Sequence, residues 1–378
     1  MNRIRILHLI TELEPGGAEN LLLNICRGLD KEKFNLIVGY ISGPGTLANQ
    51  IRRTGVRVVD LTHRGKIDLF LLFRLIFLMR KKRVKIVHTH LVHASIVGRV
   101  AAKLAGVKIL VTTRHYAYDL KERSFTYWLE RKLAGFNRMT IAISKAVRDY
   151  LIRKENYDCK KVTVIYNTVD LRLFDLNMVK ESVTNSDNYL IGSVGRLHPQ
   201  KGHSILIQSM SAVIREFRKT RLLIIGSGSL RMELENLARN LKVSDHVTFL
   251  GLKSPLEVIE ILRGVNLFVL ASNWEGFGIA VIEAMALSKP VVATAVEGLH
   301  EVIEDGRTGF LVPQGDPQAL AEKVIYLLKN RDLSTEMGKE GRKRVETLFS
   351  LDNMIVKLER LYRDLLNQEK VYRECGYG

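Results

Sequence analysis

The chain has 378 residues, of which 46% are hydrophobic and 26% are charged. This composition is typical of a folded globular protein and excludes a disordered or fibrous chain, and the length exceeds what one core normally supports, so we expect two domains. The three cysteines lie far apart and match no metal or redox spacing. Together with an N-terminal apolar run too short for a signal peptide, they predict a reducing, cytoplasmic environment.

Positive charge is concentrated in the first half of the chain. Residues 1–180 contain 33 Lys and Arg against 15 Asp and Glu, whereas residues 181–378 contain 25 of each kind. Within residues 51–150 the count is 22 against 6. A strongly basic half joined to a neutral half suggests contact with a polyanionic surface. Anionic lipid and nucleic acid both fit this charge.

Strand-like apolar runs alternate with helical stretches along almost the whole chain, which predicts open parallel sheets of an α/β protein. The predicted strands of the first half lie near Ile4–Ile10, Phe34–Ile41, Arg57–Leu61, Val84–His88, Lys108–Thr113, Arg138–Ile143 and Val162–Ile165. Those of the second half lie near Tyr189–Val194, Arg221–Ile225, Val247–Leu250, Leu267–Leu270, Val291–Ala293 and Phe310–Val312.

The polar stretch Asn177–Asn188, rich in Ser, Thr and Asn, is the best candidate for a linker between the two halves. It predicts an N-terminal domain over residues 1–176 and a C-terminal domain over residues 189–350. Residues 351–378 follow, and apolar residues recur at helical spacing in Leu351–Leu366. We expect this last helix to return to the N-terminal domain.

The most hydrophobic segment is Ile67–Met79, which is interrupted by Asp68 and Arg74. It is shorter than the roughly 20 residues that a membrane-spanning helix requires, so the first interpretation is a buried helix of an α/β domain. The basic run Arg80–Arg83 follows directly, so the second interpretation is a helix that lies on a membrane surface. Both hold if one face packs in the core and the other faces lipid.

The first predicted strand is followed by a loop with two adjacent glycines, Gly16 and Gly17, and then by a helix. Glycines at such a turn let backbone amides approach an anionic ligand closely. The loop has neither the Gly-x-Gly-x-x-Gly pattern of dinucleotide sites nor the lysine of a P-loop. An ordinary turn explains the pair equally well.

The second half opens on a strand that ends at Gly195, and Arg196 and Lys201 follow before the next helix. Ligands of open parallel sheets bind at the carboxyl ends of the strands. Two cations at that position can stabilise the charge of a diphosphate leaving group without a metal ion. The alternative is a pair of solvated surface cations.

Glu275 and Glu283 lie eight positions apart, after a predicted buried strand. Gly276 and Gly278 permit a tight turn between that strand and the helical stretch Ile279–Leu287. The amides and the positive end of the helix form an anion site. Carboxylates beside it can bind the hydroxyls of a ligand whose phosphates lie on the amides, which suits a nucleotide-sugar.

Motifs in the second half resemble those of the retaining glycosyltransferases of family four, also called group 1. They are Gly195-Arg196, Lys201-Gly202, Glu275 with Glu283, and Asp305–Val312. The resemblance covers nearly the whole chain. It implies the type-B glycosyltransferase fold, in which two Rossmann-like, doubly wound α/β domains face each other across a cleft. In that family the C-terminal domain binds the nucleotide-sugar donor and the N-terminal domain binds the acceptor.

The resemblance also implies roles for single residues. Arg196 and Lys201 would bind the diphosphate, Glu283 the ribose hydroxyls and Glu275 the sugar. The Gly16-Gly17 loop would close over the diphosphate. The residues implied to contact the donor are therefore Gly16, Gly17, Arg196, Lys201, Glu275, Gly276, Phe277, Gly278, Ile279 and Glu283.

Histidines end two predicted strands of the first half, His88 and His90 at one and His115 at the next. Neither group has the spacing and third ligand of a zinc site, so no metal site is expected. By the resemblance, His115 is the active-site histidine beside the transferred sugar, although the aspartate that often follows it is Tyr116 here. His88 and His90 resemble the family's His-x-His, of which one is structural.

The resemblance implies a retaining, metal-independent transfer of a sugar from a UDP- or GDP-sugar to a glycan or lipid-linked acceptor. Cell-surface polysaccharide or lipopolysaccharide biosynthesis is the expected process. The implied catalytic residues are His115, Arg196, Lys201 and Glu275. No cofactor is expected, because the nucleotide-sugar is itself the donor substrate. We expect a cytoplasmic protein, peripheral on the inner face of the cytoplasmic membrane, where basic residues of 51–150 contact anionic lipid.

Two other classes of function stay open at this point. A protein of the same fold could bind a nucleotide-sugar without transferring it, although both glutamates, Arg196 and Lys201 are present. A nucleic-acid-binding protein would fit the net charge of +18. The sequence, however, has no recognisable helix-turn-helix, zinc finger or aromatic-studded binding sheet.

Overall fold

The computed structural model describes residues 3–62, 69–115, 125–175 and 188–374. The chain divides into two compact units, which are Met1–Asn167 with Leu351–Gly378 (unit 1) and Thr168–Ser350 (unit 2). Except for Asn188, the predicted linker of residues 177–188 lies outside the described residues.

Unit 1 is built on a parallel sheet, and each predicted strand of the first half contributes to it. The strands are β1 (Ile4–Ile10), β2 (Phe34–Tyr40), β3 (Arg57–Asp60), β4 (Ile86–His90), β5 (Ile109–Arg114), β6 (Met139–Ala142) and β7 (Val162–Val164). Within the described residues the sheet has the order β3-β2-β1-β4-β5-β6-β7. The order reverses between β1 and β4, where Ile10 pairs with His90, and ligands of such sheets bind at this point.

Seven helices of the described residues belong to unit 1. They are α1 (Gly17–Gly28), α2 (Ala48–Arg53), α3 (Leu69–Lys81), α4 (Val92–Ala105), α5 (Phe125–Ala134), α6 (Lys145–Arg153) and α14 (Leu351–Glu374). Helix α14 packs on α1, because a side chain at Gly28 would meet Ile355 at 2.6 Å. The amide of Asp30 also donates to Glu359 Oε1 at 3.0 Å.

Strand β1 contributes side chains to two hydrophobic cores, one on each face of the sheet. Ile6 and Ile10 pack on one side of the sheet, in the core that α1 and α14 also line. Leu7 and Leu9 pack on the other side, in the core that α3 and α4 line. Successive side chains of a strand point to opposite faces, so a strand with helices on both faces carries apolar residues on both. By the same alternation, His8 faces the side of α1 and α14.

Helix α3 covers the predicted hydrophobic segment from Leu69 onward, and Ile67 and Asp68 lie outside the described residues. Leu71, Leu75 and Met79 are buried in the core of unit 1, as the interpretation of a buried helix requires. The opposite side of α3 carries exposed phenylalanines, so that interpretation describes one face only. Over the described residues, no helix combines the length and the apolar character needed to cross a membrane.

Unit 2 repeats the architecture with a parallel sheet of its own. Its strands are β8 (Leu190–Val194), β9 (Arg221–Ile225), β10 (Val247–Gly251), β11 (Leu267–Leu270), β12 (Val291–Thr294) and β13 (Phe310–Val312). Its helices are α7 (His203–Glu216), α8 (Arg231–Asn240), α9 (Pro255–Gly264), α10 (Ile279–Ala286), α11 (Glu297–His300), α12 (Pro317–Lys329) and α13 (Arg331–Leu348). Among the described residues the strand order is β10-β9-β8-β11-β12-β13, and it reverses between β8 and β11.

The boundary between the units differs from the prediction. Residues 168–175 belong to unit 2, because the amide of Val169 donates to Phe349 O at 3.1 Å. Arg342 Nη1 also donates to Phe174 O at 3.0 Å. The predicted boundary after residue 176 is therefore too far along the chain. A polar stretch shows where a linker is tolerated, whereas the last residues before it are held by contacts that only the folded chain forms.

Candidate functional site

Lys201 and Glu275, which follow β8 and β11, meet at the reversal point of the unit 2 sheet. Their side chains form an ion pair and are only 17% and 7% exposed. Ser272 Oγ donates to the same Glu275 oxygen, Oε1, at 2.8 Å. No described residue donates a hydrogen bond to Glu275 Oε2. The pair therefore presents a cation and a free carboxylate oxygen side by side, as binding of a phosphate and an adjoining sugar requires.

Glycines make this meeting possible. Lys201 ends a 3-10 turn, Pro199–Lys201, and Gly202 then adopts a left-handed φ of +59° before α7 begins. A Cβ on Gly202 would lie 1.9 Å from the carbonyl oxygen of Ala271. Any other residue would push the turn away from the end of β11. The Lys201 stem lies along Gly195, whose Cβ would meet it at 3.1 Å.

The loop after β11 is fixed to the turn after β8 by hydrogen bonds. The amide of Asn273 donates to Gln200 O at 2.8 Å, and its side-chain Nδ2 donates to Pro199 O at 2.6 Å. Gln200 Nε2 in turn donates to Trp274 O at 3.2 Å. These contacts hold the backbone beside Glu275, so its carboxylate is positioned before any ligand binds.

The predicted strand, turn and helix around Glu275 are present. Phe277 is buried and packs edge-to-face on Phe349 at 5.3 Å. Gly278 precedes α10 with a φ of +92°, and no side chain caps the start of this helix. The amides of Val281 and Ile282 donate to Gly278 O, which leaves those of Ile279 and Ala280 available to an anion. Gly276 lies between Glu275 and Phe277, where the chain turns towards the helix.

Glu283 is the fifth residue of α10. Burial raises the pKa of its carboxyl to about 7. No described residue donates a hydrogen bond or forms an ion pair with it. A desolvated carboxyl without a protein partner is costly unless a ligand satisfies it, and the hydroxyls of a ribose are suitable donors.

Arg196 lies apart from the ion pair. Its side chain is exposed, and Nη2 donates to Gln200 Oε1 at 3.3 Å. Within the described residues it has no carboxylate partner, so its charge is not neutralised. Its proposed contact with the diphosphate stays a prediction.

Three glycines of this site were not recognised in the sequence. Gly226 and Gly228 follow β9, and a Cβ on either would lie 2.0 Å or 2.4 Å from a carbonyl oxygen of Gly195 or Leu197. Gly298, in α11, lies against the loop that carries the site, since its Cβ would be 2.4 Å from Glu275 O. The Gly-x-Gly after a predicted strand was a usable signal. Gly298 gave none, because its neighbour is distant in sequence.

In unit 1, the Gly16-Gly17 turn joins β1 to α1 at the reversal point of the sheet, with Gly16 as the N-cap. The Glu19 carboxylate folds back against it, because a Cβ on Gly16 would meet Glu19 Oε2 at 2.4 Å. Burial raises the pKa of Glu19 to about 7, and the charges of Glu12 and Glu14 add to this effect. The turn therefore has carboxyl groups close to it, which a phosphate-binding site predicted from the two glycines would not have.

The two histidines of β4 belong to a buried chain of hydrogen bonds. His88 contacts Thr113 Oγ1 at 2.7 Å through Nε2 and the Tyr362 hydroxyl at 2.6 Å through Nδ1. The same hydroxyl lies 3.5 Å from His8 Nε2, and His8 Nδ1 lies 3.1 Å from His90 Nε2. His88, with both nitrogens occupied, is the structural member of the pair.

His115 follows β5 and lies next to the open end of this chain. Its ring centroid is 5.8 Å from that of His90. Both nitrogens of His115 and Nδ1 of His90 have no hydrogen-bond partner among the described residues. Burial, helped by the charge of Arg114, lowers the pKa of His115 to about 3. The ring is thus neutral at physiological pH and able to bind a hydroxyl.

The nitrogens of His8, His88 and His90 lie within 4.8 Å of one another, close enough to hold a metal ion. Metal binding would, however, break the contacts that these imidazoles already make with each other and with Tyr362 and Thr113. The donor set fits a hydrogen-bonded network better than a metal centre.

Family comparison agrees with this geometry over both units. A sequence profile described as "Glycosyltransferase Family 4" matches residues 15–173, and one described as "Glycosyl transferases group 1" matches residues 176–344. The capsular polysaccharide biosynthesis glycosyltransferase CapM of Staphylococcus aureus is 30% identical, over 89% of this chain and 92% of CapM. The chain belongs to the family 4, group 1 glycosyltransferases.

Two further comparisons concern a relative of this glycosyltransferase and its fold. The UDP-Gal:alpha-D-GlcNAc-diphosphoundecaprenol alpha-1,3-galactosyltransferase of Escherichia coli is 27% identical, over 97% of this chain and 98% of the relative. The crystal structure of Anabaena HepE with UDP and glucose superimposes with a TM-score of 0.84 at 22% identity, over 96% of this chain and 100% of HepE. The type-B fold predicted from the sequence is confirmed.

We expect the buried histidines to make this glycosyltransferase less stable in acid. Burial lowers the pKa of His8 to about 3 and that of His115 likewise, and it lowers the pKa values of His88 and His90 well below 6.5. The unfolded chain therefore binds these protons near pH 6.5 and the folded unit does not, so stability falls as the pH drops. Glu19, with its raised pKa, opposes part of this. We expect unit 1 to lose about 3 kcal/mol between about pH 7.5 and pH 5.5.

Urea unfolding of the full chain at several pH values measures this loss. His90→Asn should make the dependence shallower, because one buried imidazole is gone. His93, an exposed residue of α4, provides the control, and His93→Asn should leave the slope unchanged. Stability that is constant over this range would contradict the prediction.

Proposed function

We propose that this glycosyltransferase transfers a sugar from a UDP-sugar to a glycan or lipid-linked acceptor, with retention of configuration and without a metal ion. The contact of Lys201 with Glu275 beside the uncapped start of α10 carries the proposal. UDP is favoured over GDP because HepE binds UDP and UDP-glucose and the E. coli relative is named for UDP-Gal. Polysaccharide biosynthesis is favoured by the name of CapM.

In the proposed reaction, the bond between the anomeric carbon and the diphosphate breaks as the acceptor oxygen forms its bond on the same face. The acceptor proton passes to the departing phosphate oxygen. Lys201, Arg196 and the first amides of α10 stabilise the charge that develops on the diphosphate. Glu275 is held by Lys201 and Ser272, which suits it to bind sugar hydroxyls and makes it a poor nucleophile. His115 keeps in this proposal the role that the family resemblance implies, which is contact with the transferred sugar.

A donor screen tests the proposed activity. The full-length protein is incubated with UDP- and GDP-sugars, and release of the nucleoside diphosphate is measured, with slow hydrolysis standing in for an unknown acceptor. Release from a UDP-sugar that persists in EDTA, with an α-anomeric product from an α-linked donor, supports the proposal. Binding of UDP without any release would favour the alternative of a binding protein. Release from GDP-sugars alone would overturn the choice of base.

The carboxyl of Glu283 offers a separate test of donor binding. We expect UDP to bind about tenfold more tightly than 2′-deoxy-UDP, because a buried group left unpaired by a missing hydroxyl is costly. The preference should grow as the pH rises through 7, where Glu283 ionises and becomes a stronger acceptor. In Glu283→Gln the preference should shrink and lose its pH dependence.

Calorimetric titration of both ligands at two pH values measures this preference. Glu260, an exposed residue of α9 with 67% side-chain exposure, supplies the control variant Glu260→Gln, which should behave as the unaltered protein. A preference that survives intact in Glu283→Gln would show that another group binds the ribose.

We also propose a cytoplasmic location at the inner face of the cytoplasmic membrane. The support is the lipid-linked substrate in the name of the E. coli relative and the basic composition of residues 51–150. Separation of cell extracts into soluble and membrane fractions, with and without a salt wash, tests it. Recovery with the secreted proteins would contradict it.

A further inference from the structure

Helix α3 has a side that the fold of unit 1 does not use. Phe70, Phe73 and Phe77 are 79%, 66% and 64% exposed, and their spacing of three and four residues places them along one side of the helix. Large exposed apolar residues occur singly on most surfaces, whereas three in a row on one helix face indicate an interaction site.

Helix α5 adds two more aromatic rings. Phe125 and Trp128 are 73% and 53% exposed, and their rings stack with centroids 5.7 Å apart. Helices α3, α4 and α5 connect β3, β4, β5 and β6, and each of these connections runs in the same direction across the sheet. Since such crossovers are right-handed, the three helices lie on the same side of the sheet. Helix α4 also packs against both of its neighbours.

The charge on these helices has one sign wherever it is exposed. The exposed charged residues of α3, α4 and α5 are all cations, namely Arg74, Arg80, Lys81, Lys103, Arg131 and Lys132. Glu130 is the only carboxylate in these three described helices, and its side chain is buried against Arg99. Two of the cations lie beside aromatic rings, Lys81 at 5.2 Å from Phe77 and Lys103 at 3.9 Å from Phe136.

We propose that this aromatic face, formed by Phe70, Phe73, Phe77, Phe125 and Trp128, docks unit 1 on a lipid bilayer that carries anionic headgroups. The aromatic rings enter the region between headgroups and acyl chains, and the surrounding Lys and Arg side chains reach the phosphates. The inference rests on the membrane location proposed above and names the surface that makes the contact, and it does not depend on the donor chemistry.

Charge complementarity selects the bilayer as the occupant. A protein partner would need a matching carboxylate surface, whereas an anionic membrane offers negative charge and an apolar layer together. Tryptophan and basic side chains are also enriched where proteins meet the membrane interface. Because no helix of the described residues can cross a membrane, the contact is peripheral.

Flotation with lipid vesicles tests the proposal on the full-length protein. The protein should bind phosphatidylcholine vesicles that contain phosphatidylglycerol, bind pure phosphatidylcholine weakly, and dissociate as salt is added. The variant Phe70→Ser/Phe73→Ser/Phe77→Ser should bind at least about tenfold more weakly, because three apolar side chains no longer enter the interface. Replacing Lys81 or Lys103 with alanine should weaken binding by about fivefold each.

Unit 2 supplies a matched control. Met232, Leu252 and Leu256 are 76%, 70% and 62% exposed, so their replacement by serine removes comparable apolar surface elsewhere. This control variant should bind vesicles as the unaltered protein does. Hydrolysis of the donor in solution, without vesicles, should be the same for all these variants, which separates a failure of docking from a failure of the proposed activity.

Tryptophan fluorescence reports insertion directly. The chain has two tryptophans, so Trp274→Phe leaves Trp128 as the only one. Vesicles with brominated acyl chains should quench Trp128 and should not quench Trp274 in the reciprocal variant Trp128→Phe. Vesicle binding that is unchanged in the triple phenylalanine variant would overturn the proposal. Vesicle binding that does not depend on anionic lipid would also overturn it. A third contrary result would be a wild-type protein that is dimeric and does not bind vesicles, with the triple phenylalanine variant monomeric, because the aromatic face would then be a dimer interface.

Discussion

Replacing Lys201 with alanine should lower the rate of sugar transfer by about 100-fold to 1,000-fold or more, which is the usual effect of removing a preorganised group that stabilises a developing charge. Lys201 lies next to Glu275 at the carboxyl end of the unit 2 sheet, and the aliphatic part of its side chain lies against Gly195. No other described cation contacts Glu275, so no neighbour takes over its place. Steady-state kinetics with the best donor of the screen measure the loss.

Glu275→Ala should be as damaging as Lys201→Ala, and the double variant no worse than either. Each side chain positions the other, so their effects are not additive. The fold should survive in all three, because both residues lie in loops after β8 and β11 and neither belongs to the hydrophobic core of unit 2. Unfolding by urea checks this separately from activity.

The ion pair between Lys253 and Glu257 is the control for this experiment. It belongs to unit 2, spans 3.2 Å, and its side chains are 31% and 52% exposed. Lys253→Ala removes a surface cation of equal charge, and transfer should be nearly unchanged. Near-normal turnover in Lys201→Ala or Glu275→Ala would refute the proposed site.

Replacing Glu130 with alanine should destabilise unit 1 by about 3–5 kcal/mol, because it leaves a buried cation without its partner. Glu130 accepts from Arg99 at 2.7 Å and 3.0 Å, and the Arg99 side chain is completely buried. Arg114, which precedes His115 in the chain, contacts Glu130 at 3.4 Å but keeps Glu155 at 2.7 Å. Arg99 is therefore the buried cation that is left without a carboxylate when Glu130 is replaced.

Denaturant unfolding of Glu130→Ala measures this loss, and two variants make it interpretable. Arg99→Met/Glu130→Met removes both charges and should be less destabilised than Glu130→Ala, since no buried charge is left unpaired. Asp149→Ala breaks an exposed pair with Arg148, at 2.8 Å, and should cost less than about 1 kcal/mol. Equal losses in Glu130→Ala and Asp149→Ala would contradict the argument.

The elements of the fold could be predicted from local sequence. Parallel strands that are covered on both faces are largely apolar, and runs such as Ile4–Ile10 and Leu267–Leu270 are bounded by polar or glycine-rich turns. Because the strands alternate with helices and such crossover connections are right-handed, few sheet topologies are possible. Prediction was less accurate at the boundary between the units, where Val169 and Phe174 of unit 2 are held by contacts with residues more than a hundred positions away.

The site residues of unit 2 could be located because strand ends and glycines mark the ligand-binding edge of a parallel sheet. The sequence did not show that Lys201 contacts Glu275, since 74 positions separate them. Nor did it show that Glu19 lies against the Gly16-Gly17 turn, which makes that turn acidic. Side-chain contacts depend on rotamers and packing, which periodicity does not encode.

By itself, the sequence determined the two α/β units, the motifs of the glycosyltransferase family and the excess of positive charge in the first half. Those properties are local or additive, so they can be read from neighbouring residues and from counts. Only the tertiary structure decided which charges are paired, which face of α3 is exposed and how Tyr362 joins the histidines of β1 and β4. These properties depend on residues brought together from distant parts of the chain. The burial and the neighbours of each side chain then determine its charge state and its partners, and residue type alone does not.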